Sequence, residues 1–157
     1  MAIIGAALAM TLGGCMAQNN TANTQQTENR QYMSQVNQTL EDLTSRLDNF
    51  NQAVSNNDLV GMKTQAESAF KAIDDLNALE APDALKDVQT AYVDGCNDLK
   101  DALNLYVDLY TEIENATEEE PFDYSTYDSR LKEIQDKYDS GISKLEEGDK
   151  KANELPA

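Results

Sequence analysis

From Met33 onward, apolar residues recur at alternating intervals of three and four. Met33, Val36, Leu40, Leu43, Leu47, Phe50 and Val54 form the first such series, with Gln, Glu and Asp between them. That period puts the apolar side chains on one face of an α-helix. The series stops at Ser55-Asn56-Asn57-Asp58, residue types that favour a turn followed by a helix N-cap. Leu59, Met62, Ala66, Ala69, Ile73 and Leu76 carry the same spacing into a second helix, widened by Phe70 and Leu79. Pro82 ends that helix and suits the first turn of the next. The third run, residues 83 to about 116, places Leu85, Val88, Ala91, Tyr92, Cys96, Leu99, Ala102, Leu103, Tyr106, Leu109, Tyr110 and Ile113 on the broadest stripe of the chain. A broad stripe touches more than one neighbour, so this helix is predicted to be central and, at about 50 Å, to overhang the others. Gly95 within it marks a close crossing or a slight bend. Beyond residues 114–123, Tyr127, Leu131, Ile134, Tyr138, Ile142 and Leu145 define a fourth helix, which fades into a frayed tail over residues 151–157. No stretch alternates apolar and polar residues over the length of a strand. Short connections favour antiparallel neighbours, so the predicted fold is all-α, an antiparallel up-down-up-down four-helix bundle over residues 30–150. In that topology the start of the first helix, the Pro82 turn and the C-terminus share one end. The Ser55–Asp58 turn and the 114–123 connection share the other.

The chain ahead of the bundle has a different character. Residues 16–29, rich in Asn, Gln and Thr, offer no apolar face and are predicted to form a flexible linker with a reach of about 20 Å. Residues 2–14 are an apolar, small-residue run, shorter than the ~20 residues of a transmembrane helix but suited to the core of a signal peptide. The run closes on Leu12-Gly13-Gly14-Cys15, which resembles the lipobox of bacterial lipoproteins. The resemblance implies that residues 1–14 are removed, that Cys15 receives a diacylglycerol-type lipid, and that residues 15–29 form the lipidated N-terminus and linker. It also implies anchoring of the chain at the extracytoplasmic face of a cell membrane. Each buried methylene contributes about 0.8 kcal/mol, so two or three acyl chains on one residue hold a soluble domain durably. No basic residue precedes Arg30, although signal peptides begin with a basic segment, so the true start is expected upstream of Met1. As a type, the chain resembles the small exported lipoproteins of Gram-positive and related bacteria, whose mature part is a helical domain of uncharacterised function.

Charge and composition narrow the chemistry. Twenty-nine acidic residues against twelve basic ones give a net charge of −17, which repels nucleic acid. There is no His, which removes Cys-His catalysis, Glu-x-x-His di-iron sites and His-ligated haem. Cys96 lies on the third apolar stripe and reads as a buried small hydrophobe. No cofactor is expected beyond the covalent lipid.

Two constellations stand out. Glu118, Glu119 and Glu120, followed by Asp123 and Asp128, supply hard oxygen ligands, but they lack the EF-hand order, and a charge run beside a helix end is ordinarily solvated. No metal site is assigned to them. Tyr106 and Tyr110 lie one turn apart near the end of the third helix, and Phe122, Tyr124 and Tyr127 follow the connection, so five rings are predicted to gather at one end. Such rings either cap the core beneath the loop or form a ligand surface. Rimmed by carboxylates, that surface would suit a cationic, peptide or sugar ligand, or another envelope protein. The sequence therefore points to a non-enzymatic binding or interaction module anchored at the cell envelope. The alternative is a structural or chaperone-like helical protein that self-assembles or binds partner helices.

Overall fold

The computed structural model describes residues 20–154, with side chains from residue 24 onward. The segment expected to be a signal peptide, Cys15 and residues 155–157 lie outside the described residues. Four helices follow one another, α1 Asn20–Ser55, α2 Leu59–Asn77, α3 Lys86–Asn115 and α4 Tyr127–Asn153. Single 3₁₀ turns, Asp83–Leu85 and Tyr124–Thr126, lead into α3 and α4.

The α1–α2 turn is built from local backbone chemistry. Asn57 adopts a left-handed φ of 53°, which asparagine tolerates better than most residues. This closes a Schellman motif: the Asp58 N–H donates to Ala53 O at 2.9 Å and the Asn57 N–H to Val54 O at 3.1 Å. The Asp58 carboxylate then caps α2 by accepting from the Gly61 N–H at 2.9 Å. At the opposite end, the Gln89 side-chain amide donates to the Leu79 carbonyl and ties the Pro82 connection to α3.

The apolar stripes meet in one core. Val36, Leu40, Leu43, Phe50, Met62, Ile73, Leu76, Tyr92, Leu99, Leu109 and Leu145 are all essentially inaccessible, and no charged residue is buried among the described residues. Phe50 of α1 meets Tyr106 of α3 edge to face at 5.5 Å, which joins the C-terminal halves of these two helices across the core. Asp74 of α2 pairs with Lys100 at 2.8 Å and Asn77, further along α2, with Asn97, earlier in α3, so α2 and α3 are antiparallel. Arg130 at one end of α4 pairs with Glu112 late in α3, and Asp149 at the other end pairs with Tyr92 early in α3. The arrangement is the up-down-up-down bundle expected, with α3 packed against both α2 and α4.

Four details depart from the pattern of the sequence. The first stripe opens on Tyr32 and closes on Ala53, with Met33 and Val54 only half-buried. Tyrosine carries a polar tip, so the pattern favoured its apolar neighbour. Helix α1 begins at Asn20, which corrects the linker expected to run to residue 29. Gln, Glu and Arg sustain a helix well, and extending one that is already nucleated costs little. None of residues 24–31 is buried, which is why no apolar signal announced this extension. The longest element is accordingly α1, at 36 residues, rather than α3, at 30. The fourth departure is the expected tail. Residues 151–153 remain helical, and Ala152 packs against the core. Gly148 is buried on the face of α4, but a glycine adds nothing to a hydrophobic pattern, so the stripe read as though it ended at Leu145.

Helices α3 and α4 approach most closely where two glycines face each other. A Cβ on Gly95 would lie 2.8 Å from the Gly141 carbonyl oxygen, and one on Gly141 would lie 2.8 Å from Leu99 Cγ and 2.9 Å from the Gly95 oxygen. The close crossing read at Gly95 is thus present, and its partner is Gly141. Gly141→Ala should force the two backbones apart and cost about 1–3 kcal/mol. Urea denaturation should report this as a lower midpoint with an unchanged slope.

Candidate functional site

The C-terminal ends of α1 and α3 and the N-terminal ends of α2 and α4 converge at the end of the bundle remote from the start of α1. Here the five rings singled out from the sequence form one continuous series. Tyr106 and Tyr110, one turn apart on α3, stack with centroids 4.6 Å apart and planes 15° from parallel. The Tyr110 hydroxyl meets the Tyr127 hydroxyl at 3.3 Å. Tyr127 lies beside Tyr124 at 6.5 Å, and Tyr124 meets Phe122 at 4.9 Å with their planes at 82°. Phe50 extends the series inward through its contact with Tyr106.

Exposure differs among the five rings and peaks at Tyr124. Tyr106 is buried at 8%, Tyr110, Tyr127 and Phe122 are half-buried, and Tyr124 is 69% exposed. The inner rings therefore serve the core, as a capping role requires, while the outermost ring serves solvent. Burial raises the Tyr106 hydroxyl above the ordinary tyrosine value, and burial together with the contact to Tyr106 raises Tyr110. The hydrogen bond with Tyr110, and then burial, push Tyr127 up to about 12. All three hydroxyls thus remain protonated near neutral pH and keep their capacity to donate.

The loop ahead of Tyr124 is folded back on itself. The Thr117 N–H donates to Glu120 O, and the Glu120 N–H donates to Thr117 Oγ1, both at 3.0 Å. Glu118, Glu119 and Glu120 are exposed. Asp123 acts on the backbone beside it. Its carboxylate accepts from the Ser125 N–H at 2.9 Å and opens the 3₁₀ turn that carries Tyr124. The Ser125 hydrogen bonds hold its carboxyl below the usual carboxylate range. Among the described residues no three carboxylate or thiol side chains converge as a metal site would require.

A second polar assembly, not singled out by the sequence pattern, lies midway along α3 and α4. Asp98, only 14% exposed, accepts from Ser140 Oγ and Lys144 Nζ at 2.6 Å and from Lys137 Nζ at 3.3 Å. Lys137 also reaches Asp101 at 3.0 Å. Partial burial raises the Asp98 carboxyl, but the Lys144, Ser140 and Lys137 hydrogen bonds outweigh it and bring the group down to about 2. An open cleft of about 520 Å³ borders this cluster along α4. Its charges are already matched across the two helices, and the matching holds α4 in register. The spacing of Lys137, Ser140 and Lys144 on one face of α4 carried this signal, but only the α3 neighbour gives it meaning. Cys96 is buried as expected, and burial pushes its thiol up to about 12, which leaves it unreactive.

Comparison of the chain with protein-family models, with curated proteins and with solved structures found no match.

Two outcomes follow from this geometry. Tyr106→Ala should destabilise the bundle by about 3 kcal/mol or more, whereas Tyr124→Ala should stay within about 0.5 kcal/mol in thermal or chemical denaturation. Because the folded carboxyl of Asp98 sits below its ordinary value of 3.8, its contribution is complete above that value and is lost as pH falls towards 2. Asp98→Asn should therefore be less stable than the parent at pH 7, by on the order of 1 kcal/mol, and the gap should close between about pH 4 and pH 2 in pH-dependent denaturation.

Proposed function

We propose that the chain is a lipid-anchored, extracytoplasmic, non-enzymatic binding module whose working surface is the aromatic end of the bundle. The observation that carries this reading is the position of Tyr124, a ring 69% exposed at the end opposite the start of α1. Cys15, the residue matched to the lipobox, precedes α1 by five positions. The 36 residues of α1 rise about 54 Å at 1.5 Å per residue, so an anchor at Cys15 presents the aromatic end away from the bilayer. Among the described residues no helix is long and apolar enough to cross a membrane, which leaves attachment to the lipid in this reading.

Assembly through an apolar face, the rival reading, calls for a continuous exposed stripe. The large hydrophobics most exposed among the described residues are two single side chains, Val60 and Tyr124. Both lie at the aromatic end, Val60 in the first turn of α2. That distribution favours a localised contact surface over a helix-long one.

Cys15→Ser should move the protein from the membrane fraction to the soluble fraction and abolish labelling by a clickable fatty acid. The released variant should sediment as a monomer at tens of micromolar. Membrane retention with undiminished labelling would refute the anchor, and concentration-dependent oligomers would favour the assembly reading.

A further inference from the structure

We draw no further inference here: the strongest candidate, the open cleft of about 520 Å³ that borders Asp98 along α4, has its Lys137, Ser140 and Lys144 side chains already engaged by Asp98, and nothing in the structure shows what covers it.

Discussion

Gly95 and Gly141 let the backbones of α3 and α4 touch, and most of what the bundle presents depends on that contact. Each glycine places its carbonyl oxygen where the other's Cβ would be, so neither position accepts a side chain without displacement of a helix. With the two axes this close, residues on facing turns come into register along the whole seam. Towards the end where α1 begins, Gly148 lies flat against the Tyr92 ring, and the Tyr92 hydroxyl donates to Asp149 at 2.5 Å. Towards the far end the same register brings Tyr110 to Tyr127 and Arg130 to Glu112. The aromatic series is therefore a consequence of a small-residue contact several turns away.

Electrostatics reinforce this seam. Half of the twelve cationic residues belong to α4, and Arg130, Lys137 and Lys144 reach carboxylates on α3. Pairs this exposed contribute little individually, but they relieve the self-repulsion of a chain with a net charge of −17 and select one register of α4 over its neighbours. Asp98, the least exposed of these carboxylates, gathers three donors because its desolvation must be offset. Placing the cations on the seam leaves the connection between α3 and α4 without a matching positive charge. The acidity of the aromatic end is the other side of that distribution.

Much of the fold was legible because amphipathic periodicity is a strong local signal. The stripes of α2 and α3 match the buried residues almost position for position, and Asn57 and Asp58 were readable as a turn and a cap. What escaped had no apolar signature. The helical stretch ahead of Tyr32 is polar on every face, and Gly148 extends the packing of α4 without a side chain to announce it. The five rings were legible as neighbours in sequence. Their differing exposure was not, because it depends on how the packed helix ends and the loop cover each ring.

By itself the sequence determined the class of fold, the order and approximate limits of the helices, the acidic character, and the absence of histidine chemistry. These follow from composition and from periods of three and four residues, which are properties of neighbouring positions. Only the tertiary structure decided which glycine faces Gly95, which carboxylate collects the lysines of α4, and which of five aromatic rings reaches solvent. Those relations join residues that lie up to 57 positions apart, as Tyr92 and Asp149 do. No local propensity encodes them; they exist only once the stripes have packed and set one helix against another.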